Sequence, residues 1–523
     1  MITLEKIVEI LLTVLVATLP FEFRTFPIIS NLQWTFVGIA VAGLPLLLRA
    51  RYTLLQDRRV VMAALFVFVQ CLAALAAPDF RANAAKGAVR VGAGFVLLCV
   101  TLVIQNRDRL MRVWCVAAGV AAVYGFVDYI GFGAPDLFRA AEFYVGGVLR
   151  LSGSFEYANT AAAFFAMSLP IVWLTPGSRA VRLALSALVL IALFLTYSRG
   201  ALIAVALMLV VWTARERNRT PLLLAGAGVG LYAVLALLQP VLIQRLRQGR
   251  PEKGLAAEYT PEFNLLRHRP KDMGEVTVSV KNTGAVTWLP DGEMPVTLSY
   301  HWWETDQKQL AAVAAIQTPI SRPVHTGESL SITATFFTPH EPGRYLLIWD
   351  LAQKGRGWFS ASGVVPGVIE ADIHAENVVW YGNGDISEWL RPQNTVDSSI
   401  TRELLWKSAL LLTFKNPVLG VGPDNFRLMY GRALGFSKWD TNIRSNSLYL
   451  ELLAGSGILG LLTFILMILS IPRRLNAATL SILVFLVHGL VDVFLMTTPI
   501  YFAFWILLGQ ADKAGIDGKP VNY

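Results

Sequence analysis

Residues 183–213 read LALSALVLIALFLTYSRGALIAVALMLVVWT, two apolar runs joined by the short turn Thr196-Tyr-Ser-Arg-Gly200. Arg199, in that turn, is the only charged residue of the stretch. A helix needs roughly 20 predominantly apolar residues to cross a bilayer, and each run supplies most of that length. The stretch therefore predicts two membrane spans, or one helical hairpin, with a single arginine at the turn.

Similar apolar runs recur through most of the 523 residues. The chain is 55% hydrophobic and 15% charged, with a mean hydropathy of +0.53, whereas a soluble protein carries about 25% charged residues. These values predict an all-α polytopic membrane protein with about twelve transmembrane helices. The predicted spans are 7–20, 32–48, 60–77, 89–105, 113–131, 157–174, 183–197, 201–213, 221–240, 447–471, 477–496 and 498–510.

Arginines gather in every second connection between the predicted spans. They are Arg49, Arg51, Arg58, Arg59, Arg107, Arg109, Arg112, Arg179, Arg182, Arg215, Arg217, Arg219, Arg473 and Arg474. Basic connections stay on the cytoplasmic side, so the pattern predicts a multi-pass protein of a bacterial inner membrane with both termini cytoplasmic. These connections account for most of the net charge of +9, and no basic helix with interleaved aromatic residues indicates nucleic-acid binding.

The predicted orientation places residues 241–446 outside the cytoplasm, and the middle of this segment alternates apolar and polar residues. Short alternating runs separated by turn residues predict an inserted, extracytoplasmic, antiparallel β-sandwich. The runs are 275–282, 294–303, 329–337 and 344–351. Asn282-Thr283-Gly284, Tyr300-His301-Trp302 and Pro342-Gly343-Arg344-Tyr345 resemble bacterial immunoglobulin-like modules. Cys71, Cys99 and Cys115 all lie elsewhere, so the domain must fold without disulfides.

The composition changes along the chain predict five segments. Residues 401–414 carry an apolar stripe, which predicts an amphipathic helix that lies on the membrane surface or closes the site, or alternatively packs on the sandwich. The segments are transmembrane helices 1–9 at 1–240, a periplasmic linker at 241–270, the immunoglobulin-like sandwich at 271–375, a periplasmic amphipathic helix and loop at 376–446, and transmembrane helices 10–12 with a cytoplasmic tail at 447–523.

Three arginines lie on the outer side, where they do not serve the cytoplasmic charge pattern. Arg150 precedes the sixth span, Arg199 lies in the turn quoted above, and Arg444 precedes the tenth span. A guanidinium group offers five donors in a planar fork, which suits two-point binding of phosphate oxygens. The alternative for each is a snorkelling side chain or a charge at a helix end.

Three motifs resemble the O-antigen ligase and polymerase family of bacterial membrane glycosyltransferases. The first runs from Arg150 through Gly153 and Phe155 to Asn159, and the second is Tyr197-Ser-Arg-Gly-Ala201. The third joins Lys415-Asn-Pro-Val-Leu-Gly-Val-Gly-Pro-Asp-Asn-Phe426 to Ser445-Asn-Ser-Leu-Tyr449 and the glycine-rich run that follows. A large external loop between the second and third motifs is also typical of the family.

The chain departs from the family at one residue. Alignment on Tyr449 places the family's His-Asn pair on Asn446 and Ser447. Asparagine and serine can orient an acceptor hydroxyl, but neither can accept its proton near neutral pH. A base is therefore missing from this position, although stabilising the leaving pyrophosphate with arginines contributes to catalysis independently.

The resemblance implies an inverting glycosyltransferase that works on the periplasmic face without a metal. Its donor would be a glycan on a polyprenyl-pyrophosphate carrier, and its acceptor the hydroxyl of lipid A–core, of a second glycan or of a protein. Membrane lipid would surround the carrier. The candidate catalytic residues are Arg150, Arg199, Arg444, Asn446 and Ser447. The candidate substrate-binding residues are Asn159, Tyr197, Arg427 and Tyr449. The alternative function is a non-catalytic membrane receptor or transporter for a glycan or lipid-linked glycan.

Two further patterns are interpreted as structural. His488 and Asp492 are four residues apart in a predicted span and would share one helix face, which favours a helix-packing pair. Asp424 and Asp440 are candidate acids or bases in the segment 416–446, but carboxylates are common in surface loops, which favours an ordinary loop residue for each. The sequence contains no P-loop, dinucleotide-binding turn or spaced Cys/His set, so it predicts no cofactor and no metal.

Overall fold

The computed structural model describes residues 3–23, 29–104, 107–132, 144–145, 148–216, 220–238, 255–383, 402–434 and 441–511. Within 255–383 it leaves out 293, 306–308, 312, 314, 355–356, 361–363 and 375–378. Most of the described chain is helical, and one β domain interrupts the helices.

The helices before the β domain are α1 (Leu4–Thr18), α2 (Asn31–Arg49), α3 (Arg51–Gln56), α4 (Arg58–Leu75), α5 (Arg81–Val103), α6 (Arg107–Val127), α7 (Ala158–Leu174), α8 (Arg179–Leu195), α9 (Arg199–Glu216) and α10 (Thr220–Leu238). Those after it are α11 (Arg402–Lys415), α12 (Phe426–Ala433), α13 (Leu448–Leu469), α14 (Ala477–His488) and α15 (Thr498–Gln510). A π-helical turn, Asp128–Phe132, extends α6.

Each predicted span coincides with a helix. By length and composition, six helices of the described chain could cross a membrane: Asn31–Arg49, Arg58–Leu75, Arg81–Val103, Asp108–Ile130, Thr220–Leu237 and Leu448–Leu469. α7, α14 and α15 are shorter apolar helices. The chain is therefore a multi-pass membrane protein, and twelve crossings remain a prediction.

The β domain consists of two sheets and a shared core. Its strands are β3 (Ala257–Pro261), β4 (Leu265–His268), β5 (Met273–Asn282), β6 (Val296–Glu304), β7 (Gln309–Ala311), β8 (Thr318–Pro319), β9 (Ser329–Phe337), β10 (Gly343–Gln353), β11 (Gly357–Trp358), β12 (Gly367–Ile373) and β13 (Trp380–Gly382); a hairpin of β1 (Tyr144–Val145) and β2 (Val148–Leu149) lies apart. One sheet has the order β13-β4-β12-β10-β6-β7, with β8 on β6 and β11 on β10; the other has the order β3-β5-β9. Side chains from both sheets, including Trp302, Phe336 and Trp349, share one buried cluster.

The predicted strands coincide with β5, β6, β9 and β10. The domain nevertheless begins earlier than predicted, because β3 and β4 lie inside the segment assigned to a linker. Leu266 is buried in the shared core, and the Tyr259 hydroxyl bonds to Asp350, so these residues belong to the domain. The pairing is also not wholly antiparallel, since β4 pairs with β12 in parallel.

Helix α13 is interrupted at Gly457, whose φ of 67° and ψ of −168° are not helical. The irregular segment 417–422 fills the break. The N–H groups of Val421 and Gly422 donate to the carbonyls of Ala454 and Gly455 at 2.9 and 2.8 Å, and Ile458 donates to the carbonyl of Pro417 at 2.8 Å. Backbone groups left unpaired by the break are thus satisfied by neighbouring backbone, as a membrane interior requires. The glycines of the third motif permit this close approach.

The predicted eleventh span is only partly helical. α14 ends at His488, and an irregular segment, 489–497, connects it to α15. The prediction that His488 and Asp492 share one helix face is therefore wrong. His488 Nε2 lies 3.4 Å from Ser198 Oγ, whereas Asp492 bonds to Asn159 on α7.

The predicted amphipathic helix is α11, and its buried side packs on two other helices, α12 and α13. Its buried residues Leu405, Ala409 and Leu412 form one cluster with Phe426 and Tyr430 of α12. Ala454 of α13 belongs to the same cluster. α11 therefore covers the N-terminal half of α13, next to the candidate site.

Candidate functional site

Arg444, in the loop before α13, pairs with Asp424. Nη1 of Arg444 donates to Oδ1 of Asp424, and Arg427 lies beside the same carboxylate, with Nε 3.4 Å from Oδ1 and Nη2 3.4 Å from Oδ2. Burial alone raises the pKa of Asp424, but the charges and hydrogen bonds of Arg444 and Arg427 outweigh it and hold that pKa below its ordinary value. Asp424 is therefore an anion at neutral pH and holds two guanidinium groups side by side.

Helix α5 adds two polar side chains to this cluster. Asn83 accepts a hydrogen bond from Arg427 Nη2 at 2.8 Å and donates to the carbonyl of Asp424 at 3.0 Å. Arg90, half-buried two turns later, donates from Nη1 to the carbonyl of Met496 at 3.0 Å and interacts electrostatically with Asp424 and Arg444. Arginines from three separate segments thus meet around one aspartate.

A second polar cluster contains Arg150. Its Nε donates to the carbonyl of Thr196 at 2.8 Å, and its Nη2 donates to Oδ1 of Asn159 at 2.7 Å. The amide of Asn159 then donates to Oδ2 of Asp492 at 2.8 Å. The arginine can only donate and the carboxylate only accepts, so the orientation of the Asn159 amide between them is fixed.

The irregular segment 489–497 connects the two clusters. At one end, Asp492 holds Asn159, and the N–H of Leu448 donates to the carbonyls of Gly489 and Asp492 at 2.8 and 3.0 Å. At the other end, Met496 accepts from Arg90. The loop that carries Arg444 is thereby tied to the same segment as Asn159 and Arg150.

The second motif lies against this segment too. Tyr197 adopts a left-handed φ of 54° at the turn between α8 and α9, and Arg199 begins α9 with a half-buried side chain. A side chain at Gly200 would overlap Val491 and His488, so the turn packs closely on the end of α14. The Tyr197 side chain is buried, with its hydroxyl 3.4 Å from that of Tyr129, so the structure does not expose this candidate to a substrate.

The loop before α13 positions the candidate acceptor residues. Asn446 adopts a left-handed φ of 52° and is half-buried, whereas Ser447 is buried. The hydroxyl of Tyr449 donates to the carbonyl of Leu486 on α14 at 2.9 Å, so only its oxygen lone pairs remain for a ligand. Among the three candidates, Asn446 and Tyr449 are half-buried and only Ser447 is buried.

Sequence reasoning missed three members of the site. Arg90 lies two residues inside a predicted span on its outer side, and this position was a usable signal. Asp424 and Asp492 were noticed in the sequence but interpreted as structural, because their roles depend on partners that are distant in the sequence. Asp440 lies outside the described residues. Among the described residues, no group of three or more His, Cys, Asp or Glu side chains is arranged to hold a metal.

A long apolar groove opens beside the second motif. It has a volume of about 790 Å³ and lies between α8, α9 and α10. Its lining includes Trp173, Phe194, Leu202, Leu209 and Tyr232. Tyr232 and Tyr197 belong to one small buried cluster, so the groove ends near the turn that carries Arg199.

Comparisons with known proteins identify the segment around α13. The chain matches none of the curated proteins. Among solved structures, the sporulation control protein Spo0M from Bacillus subtilis is similar at 16% identity, over 23% of this chain and half of that protein, with a TM-score of 0.16, which carries no argument.

Residues 346–465 match the O-antigen ligase family. The matched segment contains Arg427, Arg444, Asn446, Ser447 and Tyr449, whereas the motifs around Arg150 and Arg199 precede it. Over these residues the chain is therefore similar to the O-antigen ligase family.

Proposed function

We propose that this protein is an inverting membrane glycosyltransferase that transfers a glycan from a polyprenyl-pyrophosphate carrier to an acceptor hydroxyl on the periplasmic face. The observation that carries the proposal is the convergence of the three arginine-bearing motifs on residues 488–497, which join distant parts of the chain. The family match supports the reaction class.

The arginines supply the positive charge that such a reaction needs. Arg444, Arg427 and Arg90 surround Asp424, while Arg150 is fixed by Thr196 and Asn159. As the glycosidic bond breaks, negative charge develops on the pyrophosphate, and preorganised donors stabilise it without rearrangement. In this proposal Arg150, Arg199 and Arg444 bind the pyrophosphate, and Arg90 and Arg427 add to the field.

The acceptor approaches from the loop before α13. Asn446 and Ser447 orient its hydroxyl, and Tyr449 holds the loop on α14 through its bond to Leu486. The hydroxyl oxygen attacks the anomeric carbon from the side opposite the pyrophosphate, which inverts the configuration. The acceptor is lipid A–core, a second lipid-linked glycan or a protein hydroxyl.

The apolar groove between α8, α9 and α10 suits the hydrocarbon chain of the carrier. Its lining is almost wholly apolar, and it ends near Arg199, where the pyrophosphate would lie. This arrangement agrees with twelve crossings that leave both termini in the cytoplasm and the arginine clusters on the periplasmic side.

A transporter is the less suitable alternative. Interrupted helices line the transport sites of many transporters. Here, however, the backbone of residues 417–422 fills the break in α13. The backbone groups at the break therefore bond to protein backbone rather than to a solute. The β domain would in either case present a surface to glycan or protein.

The proposal is tested with purified protein in liposomes that contain a polyprenyl-pyrophosphate-linked glycan and each candidate acceptor. Arg444→Ala should lower kcat/KM by about 100-fold or more, the usual cost of losing one transition-state donor. Arg432→Ala is the matched control, because Arg432 is 74% exposed and pairs only at the surface with Asp79. Equal transfer by both variants, or no transfer by the wild type to any acceptor, would contradict the proposal.

A further inference from the structure

Glu451 lies one turn inside α13, directly behind the loop that carries Asn446 and Ser447. Its side chain is 5% exposed, and Oε2 accepts the backbone N–H of Ser445 at 3.0 Å. Among the described residues, no donor forms a hydrogen bond with Oε1, and the nearest cation, Nη1 of Arg444, is 3.8 Å away. A buried carboxyl oxygen without a hydrogen bond is costly, so this one requires an explanation.

The Glu451 carboxyl lines a small cavity between α5, α13 and the irregular segment. The cavity has a volume of about 30 Å³, and its lining includes Arg90, Asp424, Ser456 and Met496. A buried water needs roughly 10–15 Å³, so one or two waters fit there. The charged groups that face the Glu451 carboxyl are therefore Arg444 and Asp424 from the outer loops and Arg90 from α5.

The other carboxylates of the site are already bonded at both oxygens. Asp424 receives Arg444 and Arg427, and its lowered pKa makes it a weak base. Asp492 receives Asn159 at Oδ2 and the N–H of Val493 at Oδ1. Glu451 is thus the described carboxylate of this site that keeps an oxygen available for a proton.

We propose that Glu451 is the proton acceptor of the transfer reaction, in the place where Asn446 cannot serve. This inference rests on the proposed glycosyltransferase function. The acceptor oxygen forms a bond to the anomeric carbon while the bond from that carbon to the phosphate oxygen breaks, and its electron pair leaves with the pyrophosphate. The proton of the acceptor crosses the cavity to Oε1 and passes to solvent after the product leaves.

The test compares Glu451→Gln with Glu451→Asp and with Glu403→Gln in the liposome assay. Glutamine keeps the bond to Ser445 but cannot accept a proton, whereas aspartate keeps the carboxyl one methylene further away. Glu403 is an exposed glutamate on α11, so its substitution makes the same charge change outside the site. The kcat, the KM for donor and the pH profile are measured for each protein.

Glu451→Gln should lower kcat by about 100-fold or more, the usual contribution of a general base, and leave the KM within about threefold. It should also remove the fall in kcat at low pH, which Glu451→Asp and Glu403→Gln should keep. A kcat within about threefold of wild type, or a low-pH fall that persists in Glu451→Gln, would overturn the role. If Arg444→Ala is inactive in the same assay while Glu451→Gln is active, this inference fails and the proposed function stands. Inactive wild-type protein would overturn both.

Discussion

The β domain and the outer site rest on different kinds of backbone. In the domain, β10 pairs with β6 over nine consecutive residues and with β12 over seven, so regular ladders fix the side chains. In the site, irregular residues 417–422 and 489–497 hold the charged groups and connect helices that are distant in sequence. Irregular backbone can bring arginines from several helices to one point, which a regular ladder cannot do.

Each region also contains an aspartate that is largely shielded from solvent, and each stabilises it in its own way. Asp350 of β10 is fully buried, and a neutral donor bonds to each of its carboxyl oxygens. The Tyr259 hydroxyl donates to Oδ1 at 2.8 Å and the Ser360 N–H to Oδ2 at 3.0 Å. Asp424 instead forms ion pairs with Arg444 and Arg427. Burial raises the pKa of Asp350, with its hydrogen bonds opposing, whereas the arginines lower that of Asp424. The domain surrounds its aspartate with neutral donors, and the site surrounds its aspartate with guanidinium groups.

The largest expected effect concerns the break in α13 at Gly457, which residues 417–422 fill. Gly457→Ala places a Cβ into the backbone of Val418 at a left-handed φ of 67°. We expect a loss of more than about 4 kcal/mol, enough to prevent accumulation of folded protein. Size-exclusion chromatography of detergent-solubilised protein measures this yield. Gly226→Ala in α10 is the control, since nothing lies within 4 Å of its Cβ; equal yields would show that the break in α13 is dispensable.

The second prediction concerns the hydrogen bonds that Asp350 accepts in the β domain. Asp350→Leu leaves the Tyr259 hydroxyl and the Ser360 N–H without their acceptor, which should destabilise the domain by about 3 kcal/mol. Hydrogen exchange of the peptide 343–353 in the full-length protein reports this loss. Asp372→Leu, on an exposed side chain of β12, is the control. Unchanged protection after Asp350→Leu would mean that these bonds contribute little.

The contrast between the two regions explains what the sequence could predict. Alternation with turn residues located β5, β6, β9 and β10 to within two residues at each end, because strand periodicity is a local property. β3 and β4 were missed because they are short, with five and four residues. Apolar runs located the helices for the same reason, and they also left the break at Gly457 and the irregular end of the eleventh span undetected.

The site was predicted in part. Arg150 and Arg444 were assigned to the candidate site because charges beside apolar runs are conspicuous, and Asn159 because it lies in a motif that resembles the family. Their partners Asp492 and Asp424 were not, because the pairing of Asn159 with a residue 333 positions away depends on how helices pack. Local patterns contain no information of that kind.

A smaller effect concerns an arginine that serves the fold rather than the site. Arg59, counted above among the cytoplasmic charges, donates from Nη1 to the carbonyls of Leu508 and Ala511 at 3.3 and 2.5 Å and thereby caps α15. Arg59→Gln should cost about 2 kcal/mol, the value of hydrogen bonds from a charged donor. The exposed neighbour gives the control, Arg58→Gln. Thermal unfolding in detergent compares the two, and equal midpoints would contradict the capping role.

The smallest effect separates the two aspartates by pH. Because burial raises the pKa of Asp350 above its unfolded value, the folded domain keeps a proton that the unfolded chain has lost. Stability should therefore fall as pH rises from the unfolded pKa to the folded one, and then stay level.

Asp350→Asn cannot titrate, so it should remove this fall, whereas Asp372→Asn should keep it. Protection factors of the peptide 343–353, corrected for the intrinsic exchange rate at each pH, measure the difference. Asp424 should behave oppositely: its lowered pKa makes its contribution complete at neutral pH and lost as pH falls through the folded value. Opposite slopes in peptides 343–353 and 417–434 would show that the fold raises the pKa of Asp350 and lowers that of Asp424, and parallel slopes would refute that distinction.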